Sequence, residues 1–313
     1  MNARLAAVAG VVVALAAAGS LAAALTAIPA GNLVKNPGAE GGPGATSTST
    51  PAPTTVPPSW EWQTVPPRQG SDVGFVAARY GSHPYFPSTA VAKAIGGGRN
   101  FFWAGYPPQR STAFQTIDVA RAAEEIDGGG VKACLSGYLG SLRKNPDSSI
   151  AMALEFLRED GSRLGQLAVA PVRGATLSET TMLRRAAQGA VPRSTRQLRV
   201  VLTGQRPVSG GAIYGYADNV SVALTRGACD PVLSARCTGG ALVATVTPSD
   251  IARTQRVRFL VRGASGQRVV NDARAPFSAR VPMSGLTGRL KVTATVTQAG
   301  SGPITLTKKS RRC

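Results

Sequence analysis

From about residue 115 onward the chain repeats one local pattern, in which short runs alternate apolar and polar residues between turn residues. "QTIDVA", "VKACLSGYLGSL", "SIAMALEFLRED", "RLGQLAVAPV", "RQLRVVLTGQR" and "NVSVALTR" belong to it. Several alternate with period two, as strands with one buried face do. Two segments look helical instead, Val119 to Asp127 and Leu177 to Pro192. After "RGACDPVLSARC" (Arg226 to Cys237) a second series begins: "ALVATVTP", "QRVRFLVRG", "QRVVNDA", "APFSARVP", "RLKVTATVT" and "PITLTKKS". The "GASG" between two of these is a hairpin turn. Many short strands with little helix predict an all-β protein, a sandwich or jelly roll followed by a smaller sandwich.

Two stretches stand outside this pattern. Leu5 to Ile28 is an apolar run with Arg4 as the one charge before it, and it ends in the small-residue exit "PAGN". That is the build of a secretory signal peptide over residues 1–30, with cleavage expected after Ala30. An uncleaved anchor is the alternative, since the run is long enough to span a bilayer. No second apolar stretch approaches membrane length. The mature chain is therefore expected to lack a transmembrane segment and to be secreted or held at the cell surface. Glu40 to Ser59, full of Pro, Ser and Thr, reads as a long surface loop. The expected domains are 31–228 and 229–313.

Charge adds a possible class of partner without changing the fold. The net charge is +19, and residues 230–313 hold 14 Lys or Arg against 3 Asp or Glu. Such a surface attracts polyanions such as wall polymers, acidic lipid headgroups or nucleic acid. A GC-rich coding bias also produces this Arg-heavy composition. No basic helix or RNA-type aromatic motif marks a dedicated nucleic-acid reader. The four cysteines include no C-x-x-C pair and the chain has a single His, so zinc and thioredoxin-type redox chemistry lack their ligands. In an exported chain disulfides are the default. Of the three pairings, Cys237 with Cys313 and Cys134 with Cys229 is preferred; the first would tie together the ends of the smaller sandwich.

The chemical inventory speaks against catalysis. His83 precedes Pro84 in a loop, and no G-x-S-x-G elbow accompanies it. "AAEEID" and "EFLRED" carry acids of the kind that line solvated faces. "IGGGRN" lacks the Lys and the following Ser or Thr of a P-loop and reads as a turn. "NVS" at Asn219 is a formal glycosylation sequon, discounted because it falls at the predicted start of a strand. The chain is expected not to be an enzyme.

Two resemblances sharpen the expectation. "VRFLVRGASGQRVVNDARAPFSARVPMSGLTGRLKVTATVT", Val257 to Thr297, resembles the bacterial Ig-like domains of exported and wall-associated proteins, with Arg262 where an acidic residue usually stands. The larger segment is similar to galactose-binding-like jelly rolls, a fold shared by many carbohydrate-binding modules. The matching pieces are "NLVKNPGAEGG" (Asn32 to Gly42), "GYLGSL" (Gly137 to Leu142) and "VPRSTRQLRVVLTGQRPVSGGAIYGYADNVSVAL" (Val191 to Leu224). That resemblance implies that the first and last strands lie side by side, which would bring Glu40 to Asp218, where many members hold a structural Ca²⁺. The chemistry agrees, because Ca²⁺ takes about six to eight oxygens and two carboxylates plus loop carbonyls supply them. Alternatively, Asp218 merely bonds local N–H groups at a turn and Glu40 is simply exposed.

A sugar site would rest on aromatics, since a pyranose stacks its apolar face on Trp or Tyr. "RNFFWAGYPPQR" (Arg99 to Arg110) makes Trp103 and Tyr106 the first ligand-binding candidates, followed by Trp60, Trp62 and Tyr85. The competing reading makes Phe101, Phe102 and Trp103 an inward-facing core strand. Tyr214 and Tyr216 are expected to pack around Asp218. The functional expectation is an exported, non-catalytic protein that binds carbohydrate or an anionic cell-wall polymer through the jelly roll. The alternative is a structural or adhesion spacer with no specific small ligand.

Overall fold

The computed structural model describes residues 28–29, 31–48, 56–65, 74–106, 109–206, 211–247, 254–298 and 303–310. The expected signal peptide and Cys313 lie outside the described residues, apart from positions 28 and 29. In chain order the first part holds β1 (Glu61–Val65), β2 (Val76–Arg79), helix α1 (Thr89–Ile95), β3 (Asn100–Trp103) and β4 (Arg110–Asp118). Then come helix α2 (Ala123–Asp127), β5 (Lys132–Ser141), β6 (Ser149–Leu157), β7 (Arg163–Ala168), β8 (Val172–Arg173), β9 (Thr181–Ala190), β10 (Gln197–Gln205) and β11 (Gly215–Thr225). They form two antiparallel sheets, ordered β1-β4-β10-β6-β7, with β8 beside β6, and β2-β3-β11-β5-β9.

The period-two pattern explains the packing. Along β6 and β10 every second side chain is buried, with Ile150, Met152 and Leu154 facing inward from one strand and Leu198, Val200 and Leu202 from the other. Leu135 and Leu139 of β5 and Val220 and Val222 of β11 face them from the second sheet within a single core. This is an all-β sandwich, and each inward side chain removed from water contributes roughly 1.5–3 kcal/mol.

The expected helix over 177–192 is not formed. Thr181–Ala190 is strand β9, which pairs with β5 from Lys132↔Ala190 to Ser141↔Thr181. Its Ala, Leu, Met and Arg residues favour helix by only tenths of a kcal/mol each, whereas β5 presents ten residues of otherwise unpaired ladder. As an edge strand, β9 carries Arg184 and Arg185, charges that discourage pairing with a further chain. The other helical expectation holds in part, as a 3₁₀ turn at Ala120–Ala122 leads into α2. Helix α1 was not anticipated; Ser88 caps it by accepting the Val91 N–H at 3.3 Å, and Gly96 closes it with φ 64°.

The amino-terminal segment runs along β11. The Leu33 N–H donates to Val222 O at 2.8 Å and the Val220 N–H to Pro37 O at 2.9 Å, while the Asn32 side chain bonds both Val220 O and the Val222 N–H. It lies beside the last strand as an extended, hydrogen-bonded segment rather than as a full ladder strand.

The second part is a sandwich with its own core. It comprises β12 (Val232–Thr238), β13 (Ala241–Thr247), β14 (Thr254–Arg262), β15 (Gln267–Asp272), β16 (Ser278–Pro282), β17 (Leu290–Gln298) and β18 (Ile304–Ser310). The sheets are β12-β13-β16 and β15-β14-β17-β18, closed over Phe259, Phe277, Val292 and Val296. The "PVLSARC" stretch read from sequence as part of a connector forms most of β12, so Cys237 sits near the end of that strand and not at the start of β13. Cys134 and Cys229 are joined by a disulfide. Cys237 is also disulfide-bonded, while its expected partner lies outside the described residues. The two parts touch where the Tyr138 hydroxyl donates to Pro303 O at 3.0 Å and where Arg184 pairs with Asp230 at 2.7 Å. Among the described residues no helix is long and apolar enough to cross a membrane.

Candidate functional site

Asp218 sits where β11 departs from regular pairing. The register with β5 shifts between Asp218 and Ser221, and Asn219 takes a left-handed conformation with φ 50°. Such a bulge redirects a side chain, and here it turns the carboxylate fully into the interior. The Tyr80 hydroxyl donates to Oδ2 at 2.7 Å and the Asn219 N–H to Oδ1 at 2.6 Å. Burial raises the carboxyl from 3.8 to about 7; these two hydrogen bonds oppose the rise and the Glu40 charge adds to it. The Tyr80 hydroxyl is pushed far above the phenol range by burial first and then by the Asp218 charge.

Glu40 comes to the same place from the opposite end of the chain. Its Oε1 accepts the Asn100 N–H at 2.8 Å. Consecutive glycines make both approaches possible: a Cβ on Gly97 would lie 2.5 Å from Asp218 Oδ2, and one on Gly98 would lie 2.4 Å from Glu40 Oε1. Gly38 also approaches the carboxylate, with a Cβ that would lie 2.8 Å from Asp218 Oδ1. "IGGGRN", read as a turn, thus supplies the backbone against which both carboxylates rest. Asn100 organises the loop before it by donating to Ala39 O at 3.1 Å and Gly42 O at 2.8 Å. Its own Oδ1 is buried and has no hydrogen-bond partner among the described residues.

Carboxylate and carbonyl oxygens are the donors that a hard cation takes. A carboxylate offers about four lone-pair sites, and Asp218 uses two on Tyr80 and Asn219. No three His, Cys, Asp or Glu side chains cluster among the described residues. A cation here would therefore take much of its shell from backbone carbonyls, as Ca²⁺ commonly does.

A second convergence lies around Tyr106 and Tyr214. A cleft of about 540 Å³ is lined by both tyrosines together with Thr48, Asn145, Asp147 and Arg206. Tyr85 extends its aromatic surface, meeting Tyr214 edge to face at 5.3 Å, and is 45% exposed. The supports are rigid, since the Tyr216 hydroxyl donates to Tyr85 O at 2.6 Å and the Tyr214 N–H donates to Ser148 Oγ at 3.0 Å. Asn145 Oδ1 accepts the N–H groups of Asp147 and Ser148 at 3.0 and 2.8 Å, fixing the loop that brings Asp147 to the rim. Partial burial raises the Tyr214 hydroxyl, with Tyr85 and Tyr106 adding to the rise.

The aromatic candidates divide accordingly. Trp103 and Trp60 are not available to a ligand. Trp103 is fully buried, with Nε1 donating to Ile213 O at 2.9 Å, and belongs to the inward-facing strand of the competing reading. Trp60 is 5% exposed, packs on Phe102 at 4.8 Å and donates to Lys35 O at 3.1 Å. Trp62 packs half-buried against the core and under Gly74. Tyr106 lines the cleft, whereas Tyr85 does not and only packs against Tyr214 beside it. Tyr216 is buried against Phe86 and Phe101, and Tyr214 faces the cleft, while Asp218 has Tyr80 and Asn219 as its hydrogen-bond partners. Tyr214, Asn145, Asp147 and Arg206 were missed because nothing local links residues so distant in sequence. His83 accepts the Tyr85 N–H at 3.3 Å and packs against Tyr85 and Phe86.

No protein-family model matches the chain, and no curated protein matches it. Among solved structures it is similar to the enzymatically active domain of bacteriophage CBA120 tailspike protein 4, at 15% identity and TM-score 0.36, over 62% of this chain and 21% of that one. It is also similar to the glycoside hydrolase domain of Endo-D from Streptococcus pneumoniae, at 8% identity and TM-score 0.33, over 80% and 37% of the two chains. A β-glucuronidase from Ruminococcus gnavus matches at 9% identity and TM-score 0.22, over 81% and 44%. The chain thus spans less than half the length of each of these structures, and likenesses at such TM-scores carry no argument about activity or ligand.

Proposed function

We propose that this chain is an exported, non-catalytic carbohydrate-binding protein whose first sandwich, a galactose-binding-like jelly roll, takes a glycan in the cleft between Tyr106 and Tyr214. The observation that carries this reading is the composition of that cleft. Aromatic faces stand beside Asn145, Asp147 and Arg206, so an apolar sugar face and its hydroxyls find partners together. The Glu40–Asp218 pair serves structure in this reading. Ca²⁺ held by those carboxylates and by loop carbonyls would pin the amino-terminal segment to β11. Asp218 is fully buried and does not line the cleft, which supports a structural role for the pair. The second sandwich, read as a bacterial Ig-like domain, presents the first at the cell surface.

A glycan array probed with the full chain in Ca²⁺ tests this, followed by titration calorimetry of any glycan retained. Tyr106→Ala and Tyr214→Ala are expected to abolish binding while leaving the fold intact. A blank array at high protein concentration would overturn the reading in favour of a structural or adhesion spacer.

A further inference from the structure

The outer face of the sheet β15-β14-β17-β18 carries a charge arrangement that folding alone does not favour. The register places Arg262 of β14 directly opposite Lys291 of β17, and Lys291 directly opposite Lys309 of β18. Three cations therefore form one row across three strands, all exposed. Like charges directly opposite one another destabilise a sheet. Arg256 and Arg258, also exposed, extend the same face along β14.

Among the described residues no carboxylate pairs with any of the five. Asp272 on β15 accepts the N–H groups of Arg274 and Ser278 at 3.0 and 2.9 Å. Arg262 is held in place by its neighbour, with Nε donating to Gln267 Oε1 at 3.1 Å. Other outward positions are hydroxyls on β17 and β18, namely Thr293, Thr295, Thr305 and Thr307, and on β14 and β15 the apolar pair Leu260 and Val269. Among the described residues no aromatic side chain lies on this face, so they offer no stacking platform of the kind that single-stranded nucleic acid uses.

We infer that this face is a second binding surface, independent of the tyrosine cleft, for a linear acidic polysaccharide bearing a carboxylate on each sugar. Neighbouring strands lie about 4.8 Å apart, so a chain laid across them meets a cation roughly once per sugar ring. The guanidinium of Arg262 matches a carboxylate in two-point geometry, and the threonine hydroxyls match sugar hydroxyls. The bound polyanion relieves the repulsion that the row sustains when bare.

The test uses the full chain with polygalacturonate, in calorimetry at low and moderate salt. The triple variant Arg262→Gln/Lys291→Gln/Lys309→Gln is compared with Arg236→Gln/Arg274→Gln/Arg280→Gln, which removes equal charge from other parts of the same sandwich. The row variant is expected to bind about tenfold more weakly, the sum of three exposed charge pairs, and its melting temperature without polymer is expected to rise at low salt. The control variant and Tyr106→Ala are expected to bind as the parent does. Equal loss in both triple variants would reduce the effect to net charge and overturn the inference. Tighter binding of polyphosphate or single-stranded DNA than of polygalacturonate would overturn the choice of partner.

Discussion

The Tyr80 hydroxyl donates to Asp218 Oδ2 at 2.7 Å inside a cradle of glycines, so a fully buried carboxylate keeps a neutral donor on one side and the Glu40 charge on the other. The proton on Asp218 is held more tightly in the folded state, where burial raises its affinity to about 7, than in the unfolded chain at 3.8. Asp218 therefore contributes full stability below 3.8 and loses it as pH rises to about 7. In the presence of chelator, the melting temperature is expected to fall across that window, and Asp218→Asn to flatten the fall. Ca²⁺ is expected to reverse the trend, because a metal ligand must be deprotonated. Calorimetric scans with and without Ca²⁺ check both; an absence of any Ca²⁺ effect at neutral pH would remove the ion.

The two glycines beneath the carboxylates differ in what a methyl group would meet. On Gly97 it would meet buried Asp218, which cannot withdraw, whereas on Gly98 it would meet the end of the exposed Glu40 side chain. Gly97→Ala is expected to cost about 1–3 kcal/mol and Gly98→Ala distinctly less. Denaturant unfolding of both variants measures the difference, and Gly98→Ala is expected to weaken Ca²⁺ stabilisation by displacing Glu40.

The tryptophans and tyrosines separate stability from binding. Trp103→Ala is expected to cost about 3–5 kcal/mol through an internal cavity, and Tyr106→Ala about 1 kcal/mol or less. Acrylamide is expected to reach only the fluorescence of half-buried Trp62, since Trp103 and Trp60 are interior, and saturating glycan to leave that quenching unchanged, since no Trp lines the cleft.

The Cys134–Cys229 bond ties β5 to the segment leading into the second sandwich and closes a loop with a sequence separation of 95. Under the chain-entropy model such a loop contributes about 4–5 kcal/mol. Cys134→Ser/Cys229→Ser is expected to lower the melting temperature of the first sandwich, read by calorimetry, with less effect on the second.

Much of the architecture was legible locally, because a half-buried strand writes its environment into every second residue. β5, β6, β10, β11 and the strands from β13 onward all announced themselves this way. β9 did not, because helix-favouring residues at a sheet edge follow the partner that β5 offers and not their own preference. The residue types of the Glu40–Asp218 site were also legible, along with the glycine-rich backbone around Glu40. The distances were not, since they depend on the amino-terminal segment pairing with β11 and on Gly97 and Gly98 returning from α1 beneath both carboxylates. The aromatics were the least legible. Trp103 and Tyr106 lie three residues apart in one motif, and only the stacking of β3 between β2 and β11 sends the first into the core and leaves the second at the cleft. Burial is a property of neighbours brought together by the fold, and the cleft's other residues come from segments that sequence does not connect.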